Sequence, residues 1–179
     1  MERKNSVFIA TSLDGFIADS EGGIEWLDTV PNTNQTEMGY DSFINRIDAL
    51  VMGRNTYEKV LSFNIPWPYR KPVFVWSKTL NQLPEELDGK VELINGKPKE
   101  ILEILHQKGF GRLYIDGGQT IQAFLKEDMI DEMIITKIPV VLGSGFSLFG
   151  EFSKMLPFSL VNSKVFLDQI VQDTYIRKR

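Results

Sequence analysis

Two stretches of the sequence place glycine and polar side chains where a short apolar segment gives way to a helical pattern. The first is Met52-Gly53-Arg54-Asn55-Thr56, and the second is Ile115-Asp116-Gly117-Gly118-Gln119-Thr120. The N-terminus of a helix offers unpaired N–H groups and roughly half a positive charge, and glycine removes the Cβ that keeps a ligand at a distance. Both stretches therefore suit the binding of phosphate.

Cationic side chains accompany these stretches. Arg54 carries a permanent charge and a planar fork of donors that matches a pair of phosphate oxygens. Ser77-Lys78 follows another predicted strand and supplies a hydroxyl and an ammonium group. Because ligands bind outside the carboxyl ends of parallel strands, we expect these groups to lie near one another. A simple tight turn at Gly117-Gly118 and a surface salt bridge for Arg54 are the alternatives that the local sequence leaves open.

The elements that must position these residues alternate between strands and helices, and the chain then ends in strands alone. Strands are predicted at residues 6–10, 49–52, 72–76, 91–94, 112–115, 131–138, 158–166 and 170–177. Helices are predicted at residues 36–47, 99–107 and 120–126, with another that Asn55 or Thr56 caps and that runs to about Leu61. Residues 143–150 are interpreted as a loop. The pattern indicates an α/β fold with a mixed, mostly parallel central sheet, helices on both faces and a C-terminal antiparallel hairpin.

Composition restricts the functions that this fold can serve. The 179 residues suit one domain over 1–179, and the apolar fraction of 42% with no long apolar run predicts a cytoplasmic protein without a membrane span. The absence of cysteine and the single histidine, His106, exclude disulfides and argue against a metal site. A net charge of −4 argues against nucleic acid as a partner.

Five short motifs, taken in order, resemble the dihydrofolate reductase-like superfamily. They are TSLDGFIA at residues 11–18, MGRNTY at 52–57, SK at 77–78, DGGQ at 116–119 and PVVLGSG at 139–145. The similarity is greatest to the branch that includes the C-terminal reductase domain of bacterial riboflavin-biosynthesis enzymes, and it covers nearly the whole chain. It implies a three-layer, single-domain fold of that superfamily.

The resemblance also implies an NADPH site. Arg54 and Ser77 would lie near the 2'-phosphate, with Lys78 adding charge, and Thr56 would lie near the pyrophosphate. The glycine pair, which a cis peptide joins in the classical reductases, would also approach the pyrophosphate. The residues that complete the implied cofactor site are Ala10 and Ile17 beside the nicotinamide, Gly53 and Asn55 in the arginine turn, and Gly117, Gly118, Gln119 and Thr120 at the second junction.

Three carboxylates are candidates for the catalytic group. A dihydrofolate reductase places one carboxylate on the helix after its first loop, where it hydrogen-bonds the pterin and helps proton delivery. Glu37 and Asp41 occupy the predicted helix here. Asp14 lies in a Ser-Leu-Asp-Gly turn that the riboflavin branch places near the nicotinamide. A solvated helix carboxylate and an ordinary turn residue are the alternative interpretations.

The resemblance implies an NADPH-dependent oxidoreductase, commonly a homodimer. Its substrate would be a small heterocycle, pterin-like or ribosylaminopyrimidine-like, as for dihydrofolate reductase or 5-amino-6-(5-phosphoribosylamino)uracil reductase. Two other hypotheses remain open at this point. In the first, the protein binds NADP or another nucleotide without catalysis. In the second, it is a dimeric structural domain with a vestigial pocket.

Overall fold

An eight-stranded sheet forms the middle layer of the protein, which a computed structural model describes over residues 2–179. Its strands are β1 (Lys4–Thr11), β3 (Ala49–Gly53), β4 (Val73–Trp76), β5 (Val91–Ile94), β6 (Arg112–Asp116), β7 (Glu132–Lys137), β9 (Phe158–Phe166) and β10 (Ile170–Arg177). Two further strands, β2 (Phe16–Ala18) and β8 (Phe146–Ser147), pair with each other in a small separate sheet. The predicted strands are therefore present, most of them within two residues of their predicted bounds.

The strand order in the large sheet is β5-β4-β3-β6-β1-β7-β10-β9. Every neighbouring pair from β5 to β7 is parallel, whereas β10 runs antiparallel to both β7 and β9. The mostly parallel sheet that ends in an antiparallel hairpin is thus confirmed. Because β3, β4 and β6 are consecutive and parallel, their carboxyl ends meet at one boundary of the sheet, which we call the carboxyl edge.

Four helices cover the two faces of the sheet. They are α1 (Tyr40–Asn45), α2 (Arg54–Ser62), α3 (Pro98–Gln107) and α4 (Gly118–Lys126). Residues Ile101 of α3 and Phe124 of α4 belong to the core on one face, and Phe43 of α1 and Tyr57 of α2 belong to the core on the other. Successive residues of a strand point to opposite faces, and Leu113 and Tyr114 of β6 accordingly enter different cores. The three-layer arrangement follows from this alternation. None of the helices within residues 2–179 is long and apolar enough to cross a membrane.

The helix predicted over residues 36–47 is shorter than expected, since α1 begins at Tyr40. The side chain of Asn32 accepts a hydrogen bond from the Thr36 N–H and donates one to the Thr36 carbonyl, which holds this segment in a turn. Gly39 then adopts a left-handed conformation with φ of 90°. Glu37 consequently lies before the helix and not on it, and the prediction of a helical Glu37 is wrong.

Two other local predictions need correction at the carboxyl edge. The N-cap of α2 is Gly53, so Asn55 and Thr56 lie inside the helix and no side chain caps it. The predicted capping by Asn55 or Thr56 is therefore wrong. The stretch interpreted as a loop at residues 143–150 contains β8, which pairs antiparallel with β2. A strand of two residues has too little alternation to be recognised from sequence.

Candidate cofactor and substrate cleft

The two glycine junctions are in direct contact at the carboxyl edge. Met52 of β3 and Asp116 of β6 are register partners, so the chain turns into α2 and α4 at adjacent points. A Cβ on residue 53 would lie 2.8 Å from Thr120 Oγ1, and a Cβ on residue 117 would overlap Thr56 Oγ1. Gly117 also has φ of 89°, a conformation that favours glycine. The third residue of each helix therefore packs on the N-cap glycine of the other.

This contact brings two helix N-termini together without side-chain caps. Since Gly53 and Gly117 provide no capping oxygen, the first N–H groups of α2 and α4 are not satisfied by their own N-cap residues. Thr120 is buried and Gln119 beside it is exposed. The paired helix ends form a positively polarised surface that suits an anion such as pyrophosphate.

Arg54 joins this surface to the loop after β4. Its Nε donates a hydrogen bond to Glu58 Oε1 at 2.6 Å, and its Nη1 donates to Thr79 Oγ1 at 2.9 Å. Ser77 Oγ in turn accepts the Thr79 N–H at 3.2 Å and the Leu80 N–H at 3.0 Å. Arg54 and the Ser77 loop therefore lie together, as the sequence predicted, with Lys78 exposed next to Ser77.

Thr79 is a contact of Arg54 that the sequence analysis missed. A threonine in a polar loop belongs to no motif, and only its position two residues after the strand-ending Ser77 signals its proximity to the carboxyl edge. Asn55, one residue after Arg54, is exposed in the first turn of α2. Arg54 is thus held at two points by Glu58 and Thr79 and remains about half exposed, with a side-chain exposure of 44%.

The small sheet forms a wall over the N-terminus of α4. Ile17 Cδ1 lies 2.7 Å from the position that a Cβ on Gly118 would take, so a larger residue there would require the Ile17 side chain to shift. Gln122 Nε2 of α4 donates to the Ser147 carbonyl at 2.9 Å, which ties β8 to the same helix. The structure therefore brings Ile17 and Gly118 together, and the Gly117–Gly118 peptide is trans. Ala10 lies in β1, two residues beyond Phe8 and on the same face of the sheet.

Asp14 fastens the turn between β1 and β2 to the loop after β7. Its Oδ1 accepts the Ser12 hydroxyl at 2.6 Å and the Leu142 N–H at 3.1 Å, and its Oδ2 accepts the Gly143 N–H at 2.7 Å. The Ser12 hydroxyl, and then the Gly143 and Leu142 amides, lower the pKa of Asp14 to about 2. The Asp14 carboxylate thus joins the β1–β2 turn to the loop after β7. Its catalytic role stays a prediction.

Glu37 and Asp41 are both exposed, and they contact each other at the start of α1. Glu37 Oε1 accepts the Asp41 N–H at 2.9 Å, and this hydrogen bond is the main reason that the pKa of Glu37 is lowered. Asp14 instead binds the loop after β7. The three predicted catalytic carboxylates are therefore divided between two separate contacts, and the roles of Glu37 and Asp41 in catalysis also stay predictions.

Asp116 is the carboxyl group that the sequence analysis did not select for catalysis. It ends β6 on the same face as Tyr114, and its Oδ1 accepts the Gly117 N–H at 2.8 Å. Burial raises the pKa of Asp116 to about 6, although the hydrogen bond from the Gly117 amide opposes the shift. A carboxyl with this pKa exists in both protonation states near neutral pH, which is the property that acid–base catalysis uses.

Three tyrosines lie close enough to Asp116 for its charge to act on them, and we call this group the tyrosine recess: Tyr40 of α1, Tyr69 of the loop after α2, and Tyr114. Burial, followed by the nearby Asp116 charge, raises the pKa of Tyr40 to about 12 and that of Tyr69 further. The Tyr114 hydroxyl donates to the Phe8 carbonyl at 2.8 Å. The recess thus combines three aromatic side chains with one titrating carboxyl, beside the N-cap of α4.

Other aromatic side chains pack against the three tyrosines of the recess. The Tyr40 ring meets Phe8 edge-on at 5.6 Å, and Tyr114 meets Phe43 edge-on at 5.0 Å. Trp67 packs against Tyr69 at 5.2 Å. The signal for Asp116 in the sequence was its two-residue spacing from Tyr114 at the end of an apolar strand, which places both side chains on one face. Within residues 2–179, no cluster of three or more acidic or histidine side chains offers a metal site.

Comparison with known proteins agrees with this fold and edge. Dihydrofolate reductase from Enterococcus faecalis, solved with NADP(H), shares the fold with a TM-score of 0.67 at 18% identity, over 98% of this chain and 97% of that one. The chain thus has the fold of that reductase. The family model of the RibD C-terminal domain matches residues 4–171, and the chain belongs to this family.

Two more similar proteins match over almost their whole lengths. A putative riboflavin biosynthesis protein from Shewanella sp. PV-4 is 54% identical, with a TM-score of 0.96 over 98% of this chain and 99% of that chain. The uncharacterized protein YwjB from Bacillus subtilis is 38% identical over 179 residues, which cover 99% of each chain. The whole fold, and not a fragment of it, is therefore shared with these relatives.

Proposed function

We propose that the protein is an NADPH-dependent reductase that reduces a small, flat heterocycle. The observation that carries this proposal is the pair of uncapped helix N-termini at the carboxyl edge, where each N-cap glycine contacts the other helix and Arg54 lies alongside. The shared fold with an NADP(H)-bound reductase and the family of the chain support it. A dinucleotide needs a phosphate site of this kind, whereas a purely structural domain has no use for it.

The glycines at the carboxyl edge let the N-termini of α2 and α4 pack against each other without side-chain caps, and these paired N-termini are the feature that fits the cofactor pyrophosphate. Gly53, Gly117 and Gly118 each lie where a Cβ would collide with a neighbouring side chain. The N-termini of α2 and α4, with Thr56, would hold the pyrophosphate, and Arg54, Ser77 and Lys78 would hold the 2'-phosphate. Ala10 and Ile17 would border the nicotinamide. Bound there, NADPH supplies the hydride, and the protein supplies orientation and exclusion of water.

The tyrosine recess is the proposed substrate site. Aromatic walls bind the faces of a flat ring, and a carboxyl group pairs with the ring N–H groups that pterins and aminopyrimidines carry. Asp116 in its protonated form can donate a proton from its carboxyl oxygen to the reduced substrate. A raised pKa keeps part of the population in this form near neutral pH. The finer choice between a pterin-like and a ribosylaminopyrimidine-like substrate rests on the turnover experiment below.

Equilibrium binding followed by turnover tests the proposal. NADPH and NADH are titrated separately, and the protein with bound NADPH is then given a panel of oxidised pterins and ribosylaminopyrimidines, with NADPH oxidation followed at 1:1 stoichiometry to reduced product. We expect NADPH to bind more tightly than NADH and at least one heterocycle to be reduced. Binding without turnover on any ring would indicate a nucleotide-binding protein, and NADPH affinity no better than about millimolar would contradict both functions.

We also propose that the protein forms a homodimer through the face of the hairpin formed by β9 and β10. Helices α3 and α4 cover the same face over the other end of the sheet, whereas Leu160, Val161 and Val165 of β9 are exposed. We call these three exposed side chains the β9 ridge. Cavities of about 500 and 370 Å³ lie beside it, so in a two-fold dimer the ridge of each copy can pack into a cavity of the other. Light scattering on the wild type and on Leu160→Lys measures the oligomeric state. A monomeric wild type would contradict the proposed homodimer.

A further inference from the structure

Glu58 is an acidic side chain at the edge of the proposed cofactor site. It lies four residues after Arg54 on α2, and its Oε1 accepts the Arg54 Nε–H at 2.6 Å. The exposed fractions of the two side chains are 44% for Arg54 and 46% for Glu58. Both groups are therefore accessible to an anion that approaches Arg54 from solvent.

The hydrogen bonds of Arg54 decide how an anion can reach it. A guanidinium group has five N–H donors, of which one on Nε is given to Glu58 and one on Nη1 to Thr79. Three donors remain for a phosphate. Because Nε is bound to Glu58, an incoming phosphate must use the Nη groups, and it then lies next to the Glu58 carboxylate across the same guanidinium.

We propose that Glu58 is a specificity-determining residue that limits the preference of the cofactor site for a ribose 2'-phosphate. The inference rests on the proposed NADPH site. The Glu58 charge offsets one of the two cations, Arg54 and Lys78, and repels a phosphate dianion more than it repels an unphosphorylated ribose. Nucleotides with a free 2'-hydroxyl do not reach Arg54 with a charge, so Glu58 leaves their affinity unchanged.

The size of the effect follows from distance and screening. Two unit charges about 5 Å apart in a water-like medium change an equilibrium constant by a factor of ~4, and a dianion increases this factor while salt reduces it. The hydrogen bond from Arg54 to Glu58 also orients the guanidinium group. This orientation favours phosphate binding and therefore opposes the effect of the repulsion. A surface pair of this kind contributes little to stability, so the repulsion is the larger of the two effects.

Glu58→Gln separates charge from geometry, because glutamine keeps an oxygen that accepts the Arg54 Nε–H but carries no charge. The probes are adenosine 2',5'-bisphosphate and adenosine 5'-monophosphate, titrated by calorimetry at low salt. We expect the variant to bind the 2',5'-bisphosphate about 3- to 10-fold more tightly, and the monophosphate within about 2-fold of the wild type. The gain is expected to shrink in about 0.5 M salt.

A matched control is available on another part of the surface. Glu92 pairs with Lys108 Nζ at 2.5 Å, and the exposed fractions of the lysine and glutamate side chains are 43% and 55%, similar to those of the Arg54 pair. Glu92→Gln makes the same change of net charge and leaves the contacts of Arg54 with Glu58 and Thr79 in place. This control variant is expected to bind both probes as the wild type does. That result would show that the Glu58 charge acts locally and not through the net charge of the protein.

The outcomes distinguish this inference from the proposed function. Wild-type protein that binds both probes, with a Glu58→Gln variant that binds the 2',5'-bisphosphate no better, overturns the role of Glu58 and leaves the NADPH site in place. An equal gain for both probes also overturns it, because the 2'-phosphate is then not the group that Glu58 repels. Wild-type protein that binds neither the probes nor NADPH overturns the proposed function and this inference together.

Discussion

The side chain of Thr56, in the first turn of α2, fills the space beside Gly117, the N-cap of α4. Thr120 of α4 makes the reciprocal contact with Gly53, the N-cap of α2. Each contact places a side chain where a Cβ would otherwise lie, so the two helix ends have one relative position. The proposed phosphate site is therefore preorganised before any ligand binds, which avoids an ordering cost on binding.

Gly117→Ala tests this contact through stability. The added Cβ collides with Thr56 and also strains a residue with φ of 89°, so we expect a loss of about 2 to 4 kcal/mol in the free energy of unfolding. Gly89→Ala is the control, because Gly89 has φ of 71° but open space around its Cβ position. Urea denaturation of both variants measures the difference. Equal losses would mean that the collision with Thr56 has no effect.

Arg54→Ala is expected to weaken NADPH by ~1 to 3 kcal/mol, because a charge-assisted hydrogen bond to the 2'-phosphate is lost. NADH, which has no such phosphate, is expected to lose much less. Fluorescence titration of both cofactors measures the two changes. If NADPH and NADH lose the same affinity, Arg54 does not bind the 2'-phosphate.

Asp116 predicts a pH dependence of stability. Its pKa of about 6 in the folded protein exceeds the unfolded value of 3.8, so its contribution is fully present below pH 3.8 and is lost as the pH rises through 6. Asp116→Asn removes this dependence. Between pH 4 and pH 8, the variant is therefore expected to gain up to about 3 kcal/mol relative to the wild type in urea denaturation. A constant difference across that range would show that Asp116 does not titrate as described.

Asp116→Asn also tests the proposed proton donor. In the wild type, kcat/KM is expected to decrease as the pH rises above about 6, because the protonated carboxyl is depleted. The variant is expected to be slower by a factor of roughly 10² to 10⁴ and to lack this decrease. A variant that keeps the wild-type rate and pH profile would return the catalytic role to Asp14, Glu37 or Asp41.

Asp14→Asn is expected to loosen the loop after β7. The amides of Leu142 and Gly143 lose a charged acceptor, so their hydrogen exchange is expected to accelerate. Asp19→Asn is the control, since Asp19 accepts the Glu21 and Gly23 amides within its own turn. In the wild type, the pKa of about 2 keeps the Asp14 contact in place at moderately acidic pH, and the contact weakens only as the pH falls toward 2.

Glu37→Gln asks whether Glu37 does more than hold the start of α1. Glutamine still offers an oxygen to the Asp41 N–H, so we expect α1 to persist and turnover to change by less than about 3-fold. Circular dichroism and steady-state kinetics check the two expectations. A large loss of kcat with unchanged folding would identify Glu37 as the catalytic carboxylate.

The sequence predicted the elements with strong periodicity and missed those that depend on tertiary contacts. Strand β10 was predicted with its observed bounds, since apolar residues and turn signals delimit it. Strand β8 was missed, because its two residues form a strand only where β2 lies beside them. The start of α1 was misplaced for a similar reason, as Asn32 and Gly39 set it through local geometry that a helical periodicity does not encode.

For the site, the structure brings together the residues predicted to bind phosphate, whereas it divides the predicted catalytic carboxylates between two contacts. A surface salt bridge was the alternative interpretation of Arg54, and the structure shows one to Glu58, while Arg54 and Ser77 also lie together through Thr79. A carboxylate has many explanations, and what distinguishes Asp116 is its position beside Tyr114 and beside two tyrosines from distant parts of the chain, Tyr40 and Tyr69. Such a pKa depends on the assembled surroundings and not on neighbouring residues in the sequence.

The small sheet of β2 and β8 also affects when the cleft can form during synthesis. It joins residues 16–18 to residues 146–147, and its wall contacts Gly118 of α4. A chain emerging from the ribosome, N-terminus first, therefore has both helix junctions before it has this wall. The wall cannot cover the N-terminus of α4 until residues 146–147 have been made, so any ligand that it encloses is enclosed only after both helix junctions have been synthesised.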